Sequence, residues 1–201
     1  MIRAIIFDFD GVIHDTFDFH RMKLKQFTGH EISKESYRDI HDGNFYEHED
    51  NVFINTDWDG YVKFIHPEQS ALKIKDEIRQ VLIELSKKYE LFIISSGCAK
   101  NISDYLGNNG ISKIFTEVLG FENHKSKVDK FKVLFDKYGL CHDNCVFITD
   151  TLGDILEANK VGVETVAVDF GFHSKERLEK GRPYKIISCF NEIIPVIDSN
   201  F

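Results

Sequence analysis

Two aspartates, Asp8 and Asp10, stand one residue apart directly after the apolar run AIIF (4–7), and Gly11 follows them. Carboxylates placed so closely at the mouth of a buried strand repel each other unless a cation, a proton or a facing group relieves them. Chemistry-bearing residues recur at three other places in the chain. Ser95, Ser96 and Gly97 follow LFII (91–94), and Thr149 and Asp150 follow CVFI (145–148), with Asp154 one helical turn on. Lys125 and Lys127 sit in HKSK, just ahead of an amphipathic segment. Taken singly each is ordinary: D-x-D makes turns, S-S-G makes loops and helix caps, and acids at a helix start suit the dipole. Taken in order, they bring carboxylates, a hydroxyl and an ammonium to one edge of whatever sheet the apolar runs build.

That combination has a definite chemistry. Converging carboxylates need a hard cation, and an all-oxygen ligand set suits Mg²⁺. A divalent cation, a lysine and a hydroxyl make a pocket for a phosphoryl group, and backbone N–H groups near Ser96 and Gly97 would add to it. One carboxylate beside the metal can attack phosphorus while a second manages the proton.

The elements that must position these groups are legible as short apolar runs. AIIF (4–7), LFII (91–94), IFTEVLG (114–120), CVFI (145–148), TVAV (165–168) and KII (185–187) have strand length and mostly β-branched or aromatic composition. Between them, Ile78, Val81, Leu82, Leu85 and Tyr89 form one helical stripe over 76–89. Val128, Phe131, Leu134, Phe135 and Tyr138 form another over 127–138, and DILEANKVG (154–162) reads as a third helix. Gly139 and Gly162 are placed to stop the last two. Strands that are continuously apolar and alternate with helices predict a parallel sheet covered on both faces, an α/β doubly wound, Rossmann-like unit. Ligands of such sheets bind beyond the carboxyl ends of the strands, where the aspartates, serines and Asp150 fall. Residues 15–75 break the rhythm, and FDFHRMKLKQF, SKESYRDIH and TDWDGYVKFI read as helices within an insertion. The expected division is a core of 1–14 and 76–201 and a helical cap of 15–75, inserted after the first strand.

The stretches FDFDGV, ISSG, HKSKVDKF and FITDTLGDI, in this order, resemble the four signatures of the haloacid dehalogenase superfamily. The tail VAVDFGFHSKERLEKGRPYKIISCFNEI resembles that of its phosphoglycolate phosphatase-like members. The resemblance implies that Asp8 attacks phosphorus and forms an aspartyl-phosphate, and that Asp10 protonates the leaving oxygen and then activates water. It implies that Ser95 and a lysine bind the phosphoryl oxygens. Spacing to the following helix favours Lys125 for that lysine, with Lys127 its competitor. Mg²⁺ would be held by Asp8, the backbone carbonyl of Asp10 and Asp150, with Asp154 in support. Thr149 departs from the glycine the family often has before its metal aspartate. Dehalogenase members lack the second aspartate of the first motif, so Asp10 points to phosphate chemistry.

The remaining features bound the partners. A net charge of −8 with no basic block argues against nucleic acid, leaving a small phosphorylated molecule. Four cysteines without zinc spacing read as reduced thiols, and no apolar run reaches membrane length, so a soluble cytoplasmic protein is expected. From Asp39 through Tyr61 the insertion has no Lys or Arg, which disfavours holding a second phosphate. His20, with Ser96 and Gly97, is a candidate substrate contact. Three readings stay open: a Mg²⁺-dependent phosphatase, a β-phosphoglucomutase-like mutase of the same fold, and a non-catalytic phosphate binder. The oligomeric state has no sequence signal.

Overall fold

The run AIIF becomes a strand because all four of its residues are apolar and fully buried, which only a central strand covered on both faces allows. In a computed structural model, which describes residues 1–200, this strand (β1, Ala4–Phe7) lies at the centre of a six-stranded sheet. The chain continues through α1 (Phe17–Thr28), α2 (Lys34–Asp39), α3 (Trp58–Ala71) and α4 (Asp76–Leu85) to β2 (Glu90–Ile94). Next come α5 (Ala99–Asn108), β3 (Phe115–Leu119), α6 (Lys127–Tyr138), β4 (Cys145–Thr149), α7 (Leu152–Lys160) and β5 (Glu164–Val168). It closes with α8 (Lys175–Leu178), β6 (Lys185–Ile187) and α9 (Ile193–Asn200). Phe201, the last residue of the expected core, lies outside the described residues.

Every strand pairing is parallel and the order is β3-β2-β1-β4-β5-β6. The chain winds outward from β1 to β3, then crosses back to β4 and winds the other way. The fold is therefore α/β, doubly wound and Rossmann-like, with a helical segment inserted after the first strand. Alternate strand residues divide between two cores. Ile5, Phe7, Ile93 and Ile148 face α4, α5 and α9, while Ala4, Ile6, Phe92 and Phe147 face α6 and α7. The switch of winding direction falls between β1 and β4, so the ends of these two strands open the crevice in which ligands of such sheets sit.

The inserted segment packs around a cluster of its own, Phe17, Leu24, Tyr37, Phe53, Tyr61 and Ile65, to which the core contributes Phe172. Several polar contacts fasten it to the core. Arg177 reaches Glu35 at 2.8 Å and Asp39 at 2.7 Å, and Arg38 Nε donates to the Phe172 carbonyl at 2.8 Å. The Gly153 N–H donates to the His41 carbonyl at 3.0 Å, and Tyr46 Oη donates to the Ser96 carbonyl at 2.6 Å. A side chain at Gly153 would collide with the Gly43 carbonyl, so the close approach there requires glycine.

The six expected strands all form, within one residue at each end. The helices differ more. α3 runs past the expected end at 65 and carries Pro67 in its interior, α7 begins two residues early at Leu152, and α4 stops at Leu85 instead of reaching Tyr89.

Candidate active site

β1 delivers Asp8 and Asp10 into the crevice because the chain has to leave the strand at once. Gly11 makes that departure with φ of +77°, and a Cβ there would stand 1.9 Å from Asp150 Oδ2. Gly171 is under the same pressure from the Asp150 side chain on the other side. The two glycines let Asp150, at the end of β4, reach the first strand's mouth.

Asp8 is buried, and its Oδ1 accepts the Phe9 N–H at 2.7 Å while Oδ2 faces Lys127 Nζ at 2.9 Å. The same ammonium lies 2.5 Å from Asp154 Oδ2, which also accepts from Thr149 Oγ1 at 2.5 Å. Lys127 thus ties the end of β1 to the first turn of α7, and Thr149, the last residue of β4, supplies a hydroxyl that glycine in its place would not. Burial works against ionising Asp154, but the Lys127 charge and these hydrogen bonds outweigh it and hold the carboxyl low. At Asp8 burial prevails over Lys127, and with the carboxylates of Asp154, Asp150 and Asp10 nearby its pKa is raised well above the usual carboxylate range. Lys127 is buried too, yet Asp154 and Asp8 keep it firmly charged.

Asp10 Oδ1 accepts from Thr16 Oγ1 at 2.7 Å and meets His20 Nε2 at 3.1 Å; its Oδ2 accepts from Ser95 Oγ at 3.4 Å. Burial would raise Asp10, but His20 and Thr16 more than offset it and hold it ionised. His20, expected as a substrate contact, lines the cleft but spends both ring nitrogens, on Asp10 and on Tyr61 Oη at 2.9 Å. Ser95 is fully buried and accepts the Gly97 N–H at 2.9 Å, so that N–H is turned inward rather than left free for a ligand. Ser96 and Gly97 line the cleft beside it.

The lysine of the site is where the sequence reading differs from the structure. Lys125 is exposed, its ammonium 5.5 Å from the Tyr46 ring centre, whereas Lys127 lies among the carboxylates. Ser126 is the N-cap of α6, its hydroxyl accepting the Val128 N–H at 3.1 Å and donating to Glu157 at 2.7 Å. Lys127 becomes the first helical residue, with its own N–H on Glu157, and its side chain turns into the cleft. The signal for this was present: S-K-V-D is a capping-box spacing that marks Ser126 as the cap and puts Lys127 inside the helix. Sequence reasoning places Thr16 at the hinge into the insertion, with no part in the site, and assigns nothing to Glu157 and Lys130. Lys130 is fully buried one turn further along α6 and donates to the Ser95 carbonyl at 2.5 Å.

A cation fits this arrangement. Asp150 accepts the Phe172 N–H at 2.7 Å on Oδ2, while its Oδ1 is buried with no hydrogen-bond partner. Burial is the main cause that pushes Asp150 up to about 8, against the Phe172 N–H. A carboxylate so placed wants a positive charge. Among the described residues no three His, Cys, Asp or Glu side chains converge as a self-sufficient metal cage. Two carboxylates with a backbone carbonyl and waters is the donor set Mg²⁺ prefers over such a cage.

Asp8, Asp10, Ser95, Lys127 and Asp154 open onto a cleft of about 870 Å³, mouth included, between the strand ends and the inserted helices. The inserted side is largely aromatic and includes Phe45, Tyr46, Trp58 and Tyr61.

Comparison with known proteins agrees with the geometry. A phosphoglycolate phosphatase of Pasteurella multocida is 24% identical over 125 residues, covering 60% of this chain and 56% of that one. The chain thus spans little more than half the length of this curated relative. A haloacid dehalogenase-like hydrolase family protein from Streptococcus pneumoniae superposes with a TM-score of 0.79 at 20% identity, over 98% of both chains. A putative phosphoglycolate phosphatase from Lactobacillus plantarum gives 0.81 at 11% identity, over 98% of this chain and all of that one. These two likenesses are of fold. The model of the haloacid dehalogenase-like hydrolases matches residues 5–168, from β1 to the end of β5, and the chain belongs to that family.

Proposed function

We propose that the protein is a Mg²⁺-dependent phosphatase that hydrolyses a small phosphomonoester through an aspartyl-phosphate on Asp8. The observation that carries this reading is the Asp8–Lys127–Asp154 ion-pair network beside Asp10, with an orphaned Asp150 oxygen completing it. A structural ion pair needs one cation and one anion. Here one lysine serves two carboxylates with those of Asp10 and Asp150 close by, an arrangement that costs stability unless ligands bring further positive charge.

Asp8 forms the bond to phosphorus as the bond to the leaving oxygen breaks, and Asp10 gives its proton to that oxygen. Asp10 is ionised in the free site, and the negative charge of an arriving phosphate beside it favours its protonation. In the second half Asp10 takes a proton from water, whose oxygen attacks phosphorus and returns Asp8 and inorganic phosphate. Thr16 and His20 orient the Asp10 carboxyl throughout. Lys127 and Ser95 hold the phosphoryl oxygens. Mg²⁺, on Asp8, Asp150 and the Asp10 carbonyl with Asp154 in support, would neutralise the phosphoryl charge. Residues 15–75 form the cap domain over a core of 1–14 and 76–201, excluding water from the site.

The mutase alternative needs a second anion site for the distal phosphate, and Lys127 is the sole lysine or arginine among the residues lining the cleft. Among the described residues no helix is long and apolar enough to cross a membrane, and Cys98, Cys141, Cys145 and Cys189 are free thiols. A cytoplasmic location agrees with both. The test is phosphate release from a panel of phosphomonoesters with Mg²⁺, by wild type, by Asp8→Asn and after chelation. Release by wild type alone is expected; equal release by Asp8→Asn would sink the catalytic reading.

A further inference from the structure

The wall facing the carboxylates is built for a particular kind of leaving group. Trp58 is in edge contact with Phe45 at 5.4 Å, Tyr46 at 5.5 Å and Tyr61 at 5.8 Å between ring centres, and Phe121 continues the wall from Tyr46 at 6.1 Å. This chain of rings is anchored on both sides of the phosphoryl position. Tyr61 Oη is bonded to His20, which holds Asp10, and Tyr46 Oη is bonded to the Ser96 carbonyl. Whatever is esterified to a phosphate held by Ser95 and Lys127 therefore lies against rings.

Charge points the same way. Lys127, the one lysine or arginine in the lining, already serves Asp8, Asp154 and the phosphoryl position. Glu157 lines the cleft as well, and Glu122 stands just outside it on Cys98 and the Ala99 N–H. His41, also in the lining, is pulled down to about 4 by burial and stays neutral. A carboxylate or second phosphate on the substrate would be desolvated there with no lysine or arginine to pair with and with acids nearby, whereas the unpartnered Trp58 indole N–H can be met by a neutral acceptor.

We infer that the substrate is the phosphomonoester of a neutral, planar aromatic or heteroaromatic alcohol, and not of a carboxylate-bearing one such as glycolate. The inference rests on the phosphatase reading for the ester bond, but the preference for a neutral ring is a binding property that can be measured without turnover. The curated relatives act, by name, on phosphoglycolate, so it parts from them on substrate.

Two non-hydrolysable phosphonates separate the cases: 2-phenylethylphosphonate and 3-phosphonopropionate, isosteres of benzyl phosphate and 2-phosphoglycolate. They share the phosphonate, so its contacts with lysine, serine and any Mg²⁺ cancel in the comparison. Trp58 is the chain's single tryptophan, and its fluorescence reports the wall directly. In titrations with Mg²⁺ the phenyl compound is expected to bind at least about tenfold tighter and to perturb Trp58 emission. Equal affinities, the reverse order, or no saturable binding of either overturns the inference. Phosphate release from benzyl phosphate, measured alongside, judges the phosphatase reading separately. Failure to hydrolyse any ester with the ring preference intact removes the activity and leaves the ligand class standing.

Discussion

Asp8 and Asp10 were legible because each is fixed by its neighbours in sequence: an apolar run fixes the strand, and the strand's end fixes where they point. Lys127 was not, because periodicity starts at Val128 and gives no reason to prefer the inner lysine. The serine cap decides it, and the consequence is measurable. Lys127→Met is expected to lower kcat by about 10²–10³-fold, the usual cost of removing a donor from an oxyanion site. It also leaves buried carboxylates without their partner, a loss of about 3–5 kcal/mol that a denaturant titration would show. Lys125→Met, at an exposed position, is expected to change both by less than about twofold. A Lys125 variant as impaired as the Lys127 one would return the role to Lys125. Gly11 is the second residue-level test. Gly11→Ala meets both a positive φ and the Asp150 carboxylate. It should lower stability by about 1–3 kcal/mol and weaken Mg²⁺ binding, read by calorimetry, through displacement of Asp150.

At the scale of elements, the strands could be read from composition alone because a central parallel strand is apolar on both faces. Helix ends were harder, since they depend on caps and on tertiary contacts such as those that carry α3 past Pro67. One helix also does something its apolar stripe conceals. α6 buries Lys127 and Lys130, one turn apart, among Phe131 and Leu134. Burial, with the Lys127 charge beside it, brings Lys130 down to about 7, against the pull of Asp8, Asp154 and Glu157. The unfolded chain holds that proton to about pH 10.4. Between these values the unfolded state binds more protons than the folded one, so the Lys130 contribution to stability grows as pH rises and is lost as pH falls through 7. Lys130→Met lacks this dependence. The melting temperature of wild type relative to the variant is therefore expected to climb from about pH 6.5 to about pH 9.5. A gap that stays flat over that range would mean that Lys130 keeps its proton when folded.

On the scale of the molecule, the sequence showed that an insertion interrupts the core but not how it docks, because the docking groups are far apart in the chain. Arg177, in the short α8, meets Glu35 and Asp39 of α2, while Arg38 donates to the carbonyl of Phe172, whose ring enters the insertion's own cluster. The Tyr46–Ser96 hydrogen bond is a further tie between the insertion and the core, beside the cleft. The Arg177 contacts are ionic and partly exposed on the acidic side, with Glu35 67% and Asp39 48% accessible, so salt screens them. Such a latch contributes about 1 kcal/mol or less, enough to shift how often the insertion lifts without unfolding either part. Arg177→Ala is expected to leave the melting temperature nearly unchanged while increasing acrylamide quenching of Trp58, which lies on the insertion's side of the cleft. High salt should bring wild type toward the variant and leave the variant unmoved. If quenching of the two proteins is equal at low salt, the ion pairs do not hold the insertion down, and its hydrogen bonds to the core and the packing around Phe172 do.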